Sequence, residues 1–98
     1  MNLYLVPRTG VWLSEEEVAA AADCLPAVNA TLADHVRWIR TYVVQEADGT
    51  FGAYCLYEAT SEEWLRRHAD AIGLPPDAVK PVVSTVVAAP DPEPVFAR

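Results

Sequence analysis

The stretch HVRWIRTYVVQEADGTFGAYCLYEA, His35 to Ala59, decides the fold. Its two halves, HVRWIRTYVVQ and TFGAYCLYEA, are rich in β-branched and aromatic residues, and Asp48-Gly49 between them suits a tight turn with positive φ. The stretch therefore predicts a β-hairpin. With Asp48-Gly49 as a two-residue loop, Ala47 faces Thr50 and Arg40 faces Tyr57. Alternation then puts Trp38, Arg40, Tyr42, Val44, Ala53, Cys55 and Tyr57 on one face, and Ile39, Thr41, Val43, Tyr54, Leu56 and Glu58 on the other. Neither face is polar. A sheet that is apolar on both sides needs cover on both, which predicts helices on one face and a second copy of the chain on the other.

Upstream, Asn2 to Val6 (NLYLV) reads as a first strand stopped by Pro7. Ser14-Glu-Glu-Glu17 is a capping box, in which the serine oxygen accepts from the Glu17 amide and the carboxylate reaches back to the serine amide. The helix that starts there should kink or restart near Pro26, whose ring presses on the carbonyl of Ala22, and should fade by about Ala33. Downstream, Thr60-Ser-Glu-Glu63 is a second capping box, and Glu62 with Arg66 and Glu63 with Arg67 are favourable pairs four apart. This helix runs to Ile72; Gly73 takes the left-handed position, Leu74 folds back, and Pro75-Pro76 forbid continuation. Val79 to Ala88 is a last strand whose Pro81 suits an edge.

The order β-α-β-β-α-β predicts an α+β, ferredoxin-like sandwich: an antiparallel sheet in order 4-1-3-2, both helices on one face, and a dimeric α/β-barrel type of assembly. Residues 1–89 form this domain, and 90–98 are a proline-rich acidic tail whose Val95-Phe96 can dock on a neighbour.

A chain of 98 residues holds one core and gains burial by pairing, so a homodimer is expected. Fourteen acidic residues against seven basic ones give a formal charge of −7, which repels a phosphate backbone and excludes nucleic acid as a partner. No segment approaches the roughly 20 apolar residues of a membrane span, and the apolar run before Pro7 is too short for a signal-peptide core; the expected location is the cytoplasm. Cys24 and Cys55 have no CxxC spacing, so both read as free thiols that pack.

Cys55, Glu58 and His68 lie close in sequence, but Cys55 and Glu58 are three apart on a strand and leave opposite faces, so the three do not make one site. Candidate metal ligands are His68, His35 and Glu58, since nickel or zinc favours imidazole and a six-coordinate ion adds carboxylates. No HxH or HExxH spacing preforms such a site. His68 shares a helical stripe with Trp64 and Ile72 and reads as a boundary histidine near a helix C-terminus. Trp38, Arg40, Tyr42, Cys55 and Tyr57 are candidates for a ligand pocket or a dimer face, being rich in the residue types enriched at interfaces. No glycine-rich phosphate loop, nucleophile elbow or close pair of acids marks an enzyme.

With WIRTYV (Trp38 to Val43), AYCLYEA (Ala53 to Ala59) and EEWLRRHADAIGLP (Glu62 to Pro75) in this order, the chain resembles the domain of unknown function 4242 family over about Asn2 to Ala88. The matching positions are Tyr42, Tyr54, Cys55, Tyr57, His68, Gly73 and Pro75; Pro26, the alanine-rich first helix and the acidic tail depart from the pattern. The resemblance implies a ferredoxin-like fold, a homodimer and nickel binding. Three functional expectations follow: a homodimer that binds a divalent transition metal such as nickel weakly, a monooxygenase- or isomerase-like dimeric barrel enzyme with an organic ligand on the Trp38, Arg40, Tyr42, Tyr57 face, and a pure interaction domain.

Overall fold

A computed structural model describes residues 1–93. It contains β1 (Asn2–Trp12), α1 (Glu15–Thr31), β2 (Val36–Gln45), β3 (Phe51–Ala59), α2 (Glu62–Ile72) and β4 (Lys80–Pro81). The strands form one antiparallel sheet in the order β2-β3-β1-β4, consistent with the expected ferredoxin-like arrangement. Both helices feed one core: Val18 of α1 and Leu65 of α2 join Tyr4, Val6, Val36, Ala53, Cys55, Tyr57 and Ala59 of the sheet. No helix among the described residues is long and apolar enough to cross a membrane. Val95 and Phe96 of the tail lie outside the described residues.

The hairpin is present, but its register corrects the expected faces. Glu46 N–H donates to Thr50 O and Gly49 N–H to Glu46 O, so the loop is Ala47-Asp48-Gly49, three residues rather than two. Gly49 takes φ +89, the left-handed position that such loops require. The carboxylate of Asp48 accepts from both the amide and the hydroxyl of Thr50, which holds the turn. Gln45 therefore faces Phe51, and a bulge at Ile39 shifts the pairing again, from Arg40 opposite Leu56 to Trp38 opposite Tyr57. One residue of slip exchanges the two faces of β2. Thr41 and Val43 turn toward the helices with Cys55 and Ala53, Arg40 and Tyr42 turn to the other side, and the bulge returns Trp38 to the helical side.

β1 runs five residues past Pro7. Leu3 O accepts from Val82 N–H and Pro7 O from Asp77 N–H, so the odd residues of β1 direct their backbone polar groups toward the β4 edge. The donor that proline lacks would have pointed to that edge, where β4 forms only two ladder pairs, and the β3 ladder is unaffected. The last strand is correspondingly shorter than the expected Val79 to Ala88: Lys80 and Pro81 pair, Val82 makes one further bond, and the chain beyond leaves the sheet.

The helix ends differ in detail from the expected boxes. Ser14 caps α1 through the Glu17 amide, but the Glu17 carboxylate accepts from Leu13 N–H rather than from the serine amide. α1 continues unbroken through Pro26. Ser61, not Thr60, caps α2, by accepting from Trp64 N–H. At the other end Gly73 is left-handed and Leu74 N–H returns to Ala69 O, as the sequence predicts.

Two glycines test this geometry. A Cβ on Gly52 would sit 2.8 Å from the backbone oxygen of Arg8, which cannot swing aside; Gly52→Ala is expected to cost roughly 1–3 kcal/mol. Gly49 has open space around it, so Gly49→Ala should cost only the left-handed backbone penalty, about 1 kcal/mol. Urea unfolding of the two variants should reproduce that order.

Candidate functional site

The chemistry-bearing side chains gather between the helices and the sheet. Even residues of β1 point there, which buries Tyr4, Val6 and Arg8. Arg8 is only 2% exposed. Its Nε–H donates to Leu74 O at 2.9 Å and its Nη1 to the Tyr57 hydroxyl at 3.4 Å, and the guanidinium carbon lies 6.0 Å from the Tyr57 ring centre. Beside Tyr57, Trp38 Nε1–H donates to Thr41 Oγ1, and that hydroxyl contacts Cys55 Sγ at 3.3 Å. Burial, reinforced by Cys55, pushes the Tyr57 phenol well above its ordinary pKa, with Arg8 opposing, so its hydroxyl keeps its proton.

His68 corrects its expected boundary position: it is 0% exposed. α2 points it inward with Leu65 and Ala69, its ring meets Tyr57 edge-on at 5.0 Å, and it is bonded to a residue that the sequence reading did not single out. The Asn29 side chain donates through Nδ2 to Leu25 O at 2.8 Å, which orients its amide and turns Oδ1 toward His68 Nε2, 2.6 Å away. Nε2 must then carry the hydrogen, leaving Nδ1 as a buried acceptor without a partner. Burial first, and the charge of Arg8 second, lower the imidazole pKa to about 4. The only signal for this pairing in the sequence is a lone asparagine in the interior of an alanine-rich helix; its bond to the preceding turn is seen only in the structure.

The structure does not bring the predicted metal ligands together. His35 stacks on Trp64 with ring centres 3.7 Å apart, and its Nδ1 lies 3.5 Å from Thr60 Oγ1. Glu58 is on the opposite side of the sheet from Cys55, as expected, and pairs with Arg37 at 2.7 Å. No group of three His, Cys, Asp or Glu side chains that could hold a metal exists among the described residues. The buried, unpartnered Nδ1 of His68 has the Arg8 cation as a neighbour rather than a second donor. Within a single chain these residues do not fit nickel, which needs at least three or four donors.

The proposed aromatic group also divides. Trp38, Cys55 and Tyr57 lie on the helical side, whereas Arg40 and Tyr42 lie on the uncovered side and bond to Asp91. The Tyr42 hydroxyl and the Arg40 guanidinium hold the Asp91 carboxyl below its usual range. The uncovered side itself is apolar, as the sequence predicts, through a different set: Leu3, Leu5 and Pro7 of β1, Tyr54 and Leu56 of β3, and Tyr42 and Val44 of β2.

A family model described as nickel responsive protein SCO4226-like matches residues 4–82. Among solved structures, the crystal structure of SCO4226 from Streptomyces coelicolor A3(2) is similar, with 21% sequence identity, 86% of this chain and 99% of that chain covered, and a TM-score of 0.65. No curated protein matches.

The His68 environment predicts a pH dependence. The unfolded chain binds a proton on this residue near its ordinary value of 6.5, and the folded chain only near 4, so between those values the unfolded state holds more protons. Stability should therefore be complete above pH 6.5 and fall as the pH drops toward 4, by on the order of 2 kcal/mol after allowance for solvent screening. His68→Gln retains a donor for Asn29 and does not titrate. Its urea midpoint should lose this decline, measured as the difference from wild type at pH 7 and pH 5.

Proposed function

The chain belongs to the SCO4226-like family of nickel responsive proteins, and on that premise we propose that it acts as a homodimeric binding protein whose response to metal depends on pairing. The observation that carries this reading is the uncovered face of the sheet. Tyr42 and Tyr54 remain 48% and 45% exposed, beside Leu3, Leu5, Leu56 and Val44, with no helix over them. Beyond β4 the chain leaves the sheet and presents Val83, Val86 and Val87 at 94%, 92% and 74% exposure, further apolar surface, before Asp91 meets Arg40 and Tyr42 of β2. A contiguous apolar surface of this kind is stabilised by an identical surface related by a two-fold axis.

Pairing also bears on the metal. His35, His68 and Glu58 stay apart within one chain, so nickel uptake in this reading uses donors contributed by two chains, with exposed carboxylates and His35 available and His68 sealed inside. This reading assigns no catalytic role. The Trp38, Arg40, Tyr42, Tyr57 face of an enzyme-like alternative is divided by the sheet itself.

Sedimentation velocity on untagged protein at micromolar concentration should give the mass of a dimer. Leu56→Glu places a charge at the centre of the uncovered face and should give a folded monomer. Equilibrium dialysis against nickel should show uptake by wild type and at least tenfold weaker uptake by Leu56→Glu. A wild-type monomer overturns the pairing, and equal uptake by both proteins overturns its link to the metal.

A further inference from the structure

The helical side of the sheet holds a second feature that pairing does not use. α1 presents Ala21 and Ala22 toward the sheet and buries only Val18, so it cannot fill the space opposite Trp12 and Trp38. A cavity of about 170 Å³ is left between α1 and the sheet. Its walls are mainly apolar, with Leu25 and Val43 among them, and Arg8 and Tyr57 supply polar groups.

Arg8 is the unusual member. Arg37, Arg40, Arg66 and Arg67, all on the surface, each have a carboxylate within salt-bridge distance. Arg8 is the only arginine among the described residues that is buried, and the only one of them with no carboxylate partner. Desolvation demands the reverse, since a buried cation needs a counter-charge far more than an exposed one does. One backbone oxygen and one phenol satisfy part of its fork and none of its charge. Tyr57 accepts from Arg8 and keeps its own hydroxyl hydrogen to donate, so two donors converge at one end of the cavity.

We propose that this cavity is a binding site for a small monocarboxylate with an apolar body, its carboxylate paired with Arg8 and the Tyr57 hydroxyl and its body lying between Ala21 and the two tryptophans. One planar cation matches one planar carboxylate; a phosphate dianion would leave charge unpaired in an apolar enclosure. The volume sets the size. A cavity of roughly 150 Å³ accepts a benzene ring, so an aromatic acid with a single ring, or an aliphatic acid of about six carbons, is the class that fits. The site lies on the face of the sheet opposite the proposed dimer surface and needs no metal, so it stands or falls independently of the pairing.

The probes are benzoate and hexanoate against the neutral benzamide, with EDTA present, read by tryptophan fluorescence and by melting temperature. Trp12 and Trp38 line the cavity and report its occupancy, whereas Trp64 is stacked on His35 elsewhere. At least one acid should change the fluorescence saturably and raise the melting temperature, and benzamide should bind at least tenfold more weakly. Ala21→Leu fills the cavity from the helix without touching Arg8 and should abolish binding in a stable protein. Arg8→Gln, if folded by circular dichroism, should bind benzoate and benzamide alike. The proposal is overturned if neither acid has an effect at roughly ten millimolar, if benzamide binds as well as benzoate, or if Ala21→Leu binds unchanged.

Discussion

The pairing of β2 with β3 governs which side chains of this protein can meet. Two small irregularities set it: the three-residue loop closed by Asp48 and left-handed Gly49, and the bulge at Ile39. Together they put Trp38, Thr41 and Val43 over the same core as Cys55 and Tyr57, and they send Arg37, Arg40 and Tyr42 to the other side with Glu58 and Tyr54. Because side chains alternate, a sheet cannot adjust these memberships one at a time. The cavity, the polar cluster at Arg8 and the uncovered apolar face are all consequences of that one register.

On the helical side, the sheet supplies large residues and α1 supplies small ones. This mismatch leaves volume, and the polar groups bordering it are held by bonds between distant segments: Arg8 to Leu74 and Tyr57, Asn29 to His68. The Asn29 to His68 bond is a tie between α1 and α2 themselves. It compensates for an α1 that buries only one residue of its own, because an amide and an imidazole removed from water are stable only while they remain bonded to each other.

Local features of the fold were legible in the sequence, and features set by partners far along the chain were not. The serine caps, the Glu62 to Arg66 and Glu63 to Arg67 pairs, the Gly73 stop and the existence of the hairpin depend on neighbours within a few residues. The strand order followed from the sequence of elements. Loop length did not, since Asp48-Gly49 serves a two-residue and a three-residue turn about equally well, and choosing the shorter one exchanged the faces of Arg40, Tyr42 and Thr41. Pro7 read as a strand end because its sequence neighbours do not reveal which edge its missing donor would face. His68 read as a boundary residue because its partner Asn29 is 39 positions away. Strand alternation alone separates Cys55 from Glu58, and it does so whatever the register of β2 against β3.

The two sides of the sheet thus have different chemistry. The uncovered side is broad, apolar and rimmed by ion pairs such as Arg37 to Glu58 and Arg40 to Asp91, a surface suited to another large surface. The helical side holds a small cavity, and the buried charge bordering it among the described residues is a guanidinium without a carboxylate. Charge of that sign argues against a resident cation at His68, whose imidazole is already held neutral by burial and by Arg8. A nickel ion placed there would have one nitrogen donor and a like charge nearby, whereas an anion at Arg8 would relieve both the unpaired cation and its pressure on His68. Electrostatics therefore favours an anion over a cation in the interior, whereas most of the acidic residues that give the chain its net charge of −7 are exposed on the outside.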